Sequence, residues 1–80
     1  MEYTVYVLKS IDHNYLYTGL TSNLKNRFLR HNSGREKTTR PYRPFEIIFT
    51  ETFSTRIEAR QKEKYLKSGF GREFIKSLME

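Results

Sequence analysis

No cysteine occurs in these eighty residues, which excludes two common staples of short chains: a disulfide framework and a Cys-based zinc site. A chain of this length buries only about 60% of the surface its unfolded form exposes, so its core has little slack. Every polar residue on a core-facing stripe therefore needs a reason. Six Tyr and six Phe, within a hydrophobic fraction of 36%, supply enough bulk for a small globular fold rather than a disordered tail. A single domain over residues 1–80 is expected, held by packing alone. The opening "MEYTVYVLKSID" has an acidic residue at position 2 and no apolar run of signal-peptide length. No segment approaches the ~18 apolar residues of a membrane helix, and the expected location is cytoplasmic.

Residues 3–9, "YTVYVLK", and 15–20, "YLYTGL", are β-branched and aromatic and flank the turn-forming "DHN", so they read as a β-hairpin. Thr21 or Ser22 is placed to cap a helix over roughly 22–33, and Gly34 stands where a left-handed residue would end it. "REKTTRPYRP" contains two prolines and cannot continue a helix; it reads as an exposed, flexible loop. "FEIIFTETF", residues 45–53, is a third strand. The Thr55 to Glu58 spacing marks a capping box for a second helix that Gly69 would stop. The last segment, "EFIKSLME", sets Phe74, Ile75, Leu78 and Met79 on one face of a short terminal helix. The order β-β-α-β-α-α predicts an α+β fold, a three-stranded antiparallel sheet with flanking helices.

Charge is unevenly spread. Lys25, Arg27, Arg30, Arg35, Lys37, Arg40 and Arg43 face one acid, Glu36, within nineteen residues, while the eight basic and eight acidic side chains elsewhere cancel. An excess confined to one helix and the loop after it is the footprint expected for a polyanion, because each Lys or Arg on a phosphate releases condensed counterions. A solvated, solubilising face is the plainer alternative.

Two helix stripes carry polar residues where apolar ones would do. Leu24, Phe28 and His31 fall within a ~60° arc with Arg27 at its edge, and Ala59, Glu63 and Leu66 make the tightest stripe of the second helix. A buried carboxylate needs a cation, so Glu63 is expected to meet Arg27 or a metal ion, unless the helix rolls another face inward. Ile57 lies off that stripe.

Together these pieces resemble the GIY-YIG nuclease family, and in particular its small stand-alone bacterial branch, similar to the amino-terminal nuclease domain of a bacterial excinuclease. Thr4-Val5-Tyr6 matches the first strand motif and Tyr17-Thr18-Gly19 the second, eleven residues on. Arg27 follows Gly19 by eight residues, His31 fills the position the family gives to His or Tyr, and "EARQKEKYLK" is similar to the helix that carries the family's catalytic Glu, here Glu63. Thr4, Val5 and Thr18 depart from the namesake residues at strand-packing positions. The chain has no Asn after Asn32, so the downstream Asn of several family nucleases has no counterpart.

The resemblance implies a divalent-metal-dependent endonuclease acting on DNA, of the kind used in DNA repair. Phosphodiester hydrolysis needs a cation for the phosphate, a base for the water and a metal ion to neutralise charge. The resemblance gives Glu63 one Mg²⁺ (or Mn²⁺) ion, Arg27 the phosphate, Tyr6 or Tyr17 the proton of the attacking water, and His31 the orientation of the water or leaving group. Lys25, Arg30, Arg35, Lys37, Arg40 and Arg43 would hold the nucleic-acid backbone. The alternative is a non-catalytic nucleic-acid-binding module that uses the same basic segment, and a protein-interaction module is a third reading. If both motif tyrosines serve one site, opposed residue numbers in the hairpin must sum to an odd value, for example Tyr6 opposite Gly19.

Overall fold

The aromatic and β-branched residues at the start of the chain pair as a hairpin in a computed structural model, which describes residues 1–79. β1 (Tyr3–Ser10) runs antiparallel to β2 (Leu16–Thr21), with Tyr6 opposite Gly19 and Leu8 opposite Tyr17. The odd-sum register predicted from the two motifs is the one observed. Because side chains alternate, Tyr6 and Tyr17 project from one face of the sheet and Val5 and Val7 from the other. β3 (Phe45–Phe53) pairs antiparallel with the other edge of β1, which gives the order β2-β1-β3. The central strand is covered on both faces, and that explains why Val5, Tyr6, Val7 and Leu8 are all buried.

Each face has its own helices. α1 (Leu24–Ser33) and a 3₁₀ turn over Arg40–Tyr42 lie on the tyrosine face, where Tyr6, Leu8 and Phe45 form a cluster with Leu24, Phe28 and Tyr42. On the other face, α2 (Arg56–Lys67) and α3 (Gly69–Leu78) close Val5 and Val7 under Ala59, Leu66 and Ile75. Ile57 is 74% exposed, so α2 does present the Ala59, Glu63 and Leu66 stripe inward. The element order and the α+β architecture are those expected from sequence.

Three local expectations are corrected. The α1 cap is Asn23, not Thr21 or Ser22: β2 keeps the chain extended through Thr21, whose hydroxyl accepts from the Asn23 amide at 3.0 Å, and the Asn23 side chain then accepts from the Asn26 amide. The end at Gly34 stands, with φ 81° and its amide turned back to the carbonyls of Arg30 and His31, a conformation that favours glycine. Ser68, rather than Gly69, ends α2. Its backbone is extended and its hydroxyl accepts from the Gly71 amide, so the same residue caps α3, which begins at Gly69, four residues before "EFIKSLME". On α3, Ile75 is buried, Phe74 meets Phe49 edge-on at 5.5 Å, and Phe74, Leu78 and Met79 each stay partly exposed. Glu80, the end of that expected helix, lies outside the described residues.

The basic loop is the third correction, because it is tied down rather than free. Thr39 is fully buried, Tyr42 stacks on Tyr15 at 3.8 Å, the Ser10 hydroxyl donates to the Tyr42 carbonyl at 2.6 Å, and the Phe45 amide donates to Asn32 Oδ1 at 2.7 Å. Pro41 is tolerated in the first turn of the 3₁₀ segment, where no amide is needed, so the residues that forbid an α-helix still build a short rigid turn. No described helix is long and apolar enough to cross a membrane.

Candidate active site

Tyr6 enters the site from the centre of the sheet and reaches toward β2 because Gly19 lies opposite it. A Cβ on Gly19 would stand 2.5 Å from the Tyr6 hydroxyl and 2.9 Å from Cε2 of Tyr17, so any side chain there would displace both rings. The ring centroids of Tyr6 and Tyr17 are 6.2 Å apart. Tyr6 has no exposed surface, whereas Tyr17, on the edge strand, is half-buried. The glycine of the second motif is thus a steric requirement of the first motif's tyrosine.

α1 brings His31 to the same place. Its Nε2 lies 2.9 Å from the Tyr6 hydroxyl and its Nδ1 2.8 Å from the Thr39 hydroxyl, and its ring centroid is 4.9 Å from that of Tyr17. The Thr39 hydroxyl is aimed at the Glu36 carbonyl, 3.4 Å away, and so accepts from His31 Nδ1–H. That arrangement assigns the tautomer: Nε2 carries the lone pair and accepts from Tyr6. Burial, helped by the Arg27 charge, lowers the His31 pKa below its ordinary range, which keeps the imidazole neutral. Burial raises the Tyr6 phenol well above its usual value; Tyr17 adds to that, Arg27 opposes it, and the carboxylates of Glu36 and Glu63 reinforce it. Tyr6 is therefore a proton donor to His31 and not a resident phenolate. Arg27 does favour the phenolate, but desolvation is the larger effect.

Arg27, one turn before His31, is 37% exposed, yet its Nε is buried and has no hydrogen-bond partner among the described residues. Glu36 Oε1 is 3.5 Å from that nitrogen and 2.9 Å from Nε of Arg30, which it accepts from. Glu36, the lone acid of the basic run, thus orients both arginines. Its isolation among cations was the signal available in the sequence. Thr39 had no such signal, since nothing in "KTTR" separates a buried threonine from an exposed one.

Glu63 does not meet Arg27. Its side chain is 12% exposed and pairs with its own helix, 3.8 Å from Arg60 and 3.5 Å from Lys67. α2 packs across β1 and β2 on the face opposite the tyrosines, and no hydrogen bond or ion pair among the described residues joins Glu63 to Tyr6, Tyr17, Arg27 or His31. No group of three or more His, Cys, Asp or Glu that could cage a metal exists among the described residues. Glu63 alone would hold a Mg²⁺-type ion, which is bound through one or two carboxylates, and it does not fit a closed protein cage.

The basic residues divide by partner. Arg30 is held by Glu36, Arg40 donates from Nε to the Gly34 carbonyl at 2.7 Å, and Arg43 donates to the Arg40 carbonyl at 3.3 Å. Lys25, Arg35 and Lys37 have no side-chain hydrogen bond or ion pair among the described residues and are exposed. The structure thus brings Tyr6, Tyr17, His31 and Arg27 together, keeps Glu63 paired within α2 on the other face of the sheet, and leaves three of the six expected backbone-binding cations uncommitted.

A β-β-α-β-α-α domain with two tyrosines, an arginine and a histidine converging beside a glycine on the edge strand defines a catalytic-domain type, and the GIY-YIG catalytic domain matches residues 2–76. The chain belongs to that family, a family of nucleases that act on DNA and generally depend on a divalent metal. Among its relatives, UPF0213 protein YazA of Bacillus subtilis is 46% identical over 63 residues, 78% of this chain and 63% of that protein. A UPF0213 protein of Staphylococcus haemolyticus is 36% identical over 77 residues, 95% of this chain and 93% of the relative. The match spans 63% and 64% of the length of the B. subtilis and Bacillus pumilus relatives. The solution NMR structure of a UPF0213 protein from Bacillus halodurans superposes with a TM-score of 0.58 at 34% identity, covering 98% of this chain and 85% of that one.

Proposed function

We propose that residues 1–80 form one catalytic domain, a cytoplasmic endonuclease domain that hydrolyses phosphodiester bonds in DNA with one divalent ion, Mg²⁺ or Mn²⁺. The observation that carries this reading is the buried hydrogen-bonded chain from Tyr6 through His31 to Thr39. An apolar trio would serve so small a core as well or better, because burying polar groups costs desolvation that their hydrogen bonds only offset. A fully buried phenol donating to a neutral imidazole is, in contrast, a ready proton path.

Tyr17 is the phenol that reaches solvent and so meets the attacking water. As the water oxygen bonds to phosphorus and the bond to the leaving sugar oxygen breaks, the water proton enters the tyrosine pair and the Tyr6 proton moves to His31 Nε2. Thr39 keeps the ring oriented throughout by holding Nδ1–H. The neighbouring Arg27 charge makes the resulting imidazolium a willing acid, which returns its proton to Tyr6 and so, through the tyrosine pair, to the leaving oxygen. Arg27, oriented by Glu36 and with a side chain 37% exposed, takes the non-bridging phosphate oxygens. Glu63 would hold the ion, which when bound neutralises charge on the scissile phosphate and acidifies the attacking water.

Incubation with supercoiled, branched and single-stranded DNA, with and without Mg²⁺ or Mn²⁺, tests this directly. Metal-dependent cleavage that disappears in Glu63→Gln and His31→Ala is expected, and no cleavage of any form would overturn it. One observation favours a second reading, a binding module without turnover: Glu63 is already flanked by Arg60 and Lys67, which compete with a metal ion for its carboxylate. That reading requires salt-sensitive DNA binding with no product under either ion.

A further inference from the structure

Beside the candidate site, a slot of about 410 Å³ opens along β2. Val7, Leu66 and Ile75 lie buried beneath it, and Leu16 and Thr18 of β2, with Tyr15 and Tyr17, supply its reachable surface. β2 is an edge strand, so the slot lies against an unpaired strand edge. Lys67, Arg72 and Lys76 line it, and Thr38 joins it from the basic segment. These cations come from the part of the chain whose charges cancel along the sequence, and only folding gathers them.

We propose that this slot holds one unpaired nucleotide of a DNA strand, its base against Leu16, Tyr15 and Tyr17 and its phosphate on Arg72 and Lys76, beside Lys67, which is already paired with Glu63. The inference rests on the nucleic-acid reading above and names the form of nucleic acid taken: a strand with unpaired residues rather than continuous duplex. Three observations carry it. The volume is at the small end of ligand sites, about 300–1,000 Å³, room for one base and its sugar but not for stacked pairs. The chemistry is that of single-strand recognition, an apolar platform for a base face beside cations for the backbone. Arg72 and Lys76, one turn apart on α3, make no ion pair or side-chain hydrogen bond among the described residues. Like charges at that spacing destabilise a bare helix, and an anion between them removes the penalty. A strand running from Lys37 past Thr38 to Arg72 would cross the rim at Tyr17, which places the slot one step along the backbone from the reacting phosphate.

The test reads binding, not cleavage. Fluorescein-labelled blunt duplex and the same duplex with a single-stranded tail are titrated in chelator against wild type, Arg72→Ala/Lys76→Ala and Leu16→Trp. All three residues are solvent-exposed, and thermal melts confirm that each variant folds. Wild type is expected to bind the tailed duplex about tenfold more tightly than the blunt one. The double variant should lose that preference, keep its blunt-duplex affinity, and show a salt slope on the tailed DNA shallower by about 0.7 for each phosphate it no longer neutralises. Leu16→Trp, which fills the slot but keeps the cations, should also lose the preference. Equal affinity of wild type for both DNAs, or equal weakening of both by the double variant, would overturn the inference. A protein that keeps the preference yet cuts no DNA under either metal supports it while overturning the nuclease reading.

Discussion

The hydroxyl of Tyr6, without exposed surface, lies 2.9 Å from Nε2 of His31, 25 positions along the chain. Tyr6→Phe keeps the ring and removes only the oxygen, leaving a buried Nε2 unsatisfied. Such a loss costs about 1–3 kcal/mol, to be read from denaturant unfolding, and cleavage should fall with it. A variant as stable and as active as wild type would show that the hydrogen bond serves neither stability nor turnover.

His31 also makes stability depend on pH. Its folded pKa is lowered by burial, so below the ordinary value of about 6.5 the unfolded chain takes up a proton that the folded one refuses. The His31 contribution is complete above that value and is lost as pH falls toward and through the lowered one. Thermal unfolding between about pH 5 and 8 should show this slope in wild type and a flatter one in His31→Gln. Tyr6 acts at the other end: its raised pKa means that the unfolded state ionises first, so stability should fall above about pH 10.

Gly19→Ala tests the link between the two motifs. The added Cβ would sit 2.5 Å from the Tyr6 hydroxyl, and neither the central strand nor the His31 bond leaves that ring free to move. Overpacking of this kind costs about 1–3 kcal/mol, and activity should drop further than stability because Tyr17 is displaced as well. A crystal structure of the variant with both rings unmoved would refute the steric assignment.

Glu63→Gln should change stability by less than about 1 kcal/mol, because its partners Arg60 and Lys67 are exposed and such pairs contribute little. Loss of a buried Arg27 pair would instead cost about 3–5 kcal/mol. Cleavage should vanish while DNA binding persists. Melting curves with and without Mg²⁺ add a readout independent of turnover: the metal should stabilise wild type more than the variant.

Lys25, Arg35 and Lys37 are the uncommitted cations of the basic segment. Replacing all three with Ala should leave the melting temperature unchanged and reduce the salt slope of duplex binding by about 0.9 for each phosphate left without its cation. Arg40→Ala should differ, losing stability as well, because its Nε is hydrogen-bonded to the Gly34 carbonyl. An unchanged slope in the triple variant would remove this segment as the duplex-binding surface.

What could be read from sequence was local or periodic. Alternation of β-branched and aromatic residues defined three strands, the glycine after His31 marked the end of α1, and the need for two tyrosines on one face selected the odd-sum register. The Ala59, Glu63 and Leu66 stripe likewise identified the inward side of α2. Each follows from backbone geometry that a few neighbouring residues determine. Tertiary structure decided what depends on contacts between distant residues. It buried Thr39 behind His31 and thereby chose the tautomer, gave Arg27 to Glu36 instead of Glu63, and gathered Lys67, Arg72 and Lys76 around the free edge of β2. It also moved the stop of α2 to Ser68, where a hydroxyl serves both helices. Partner choice for a charge or a ring nitrogen depends on which groups share its desolvated space, and only the packing of helices onto both faces of the sheet sets that.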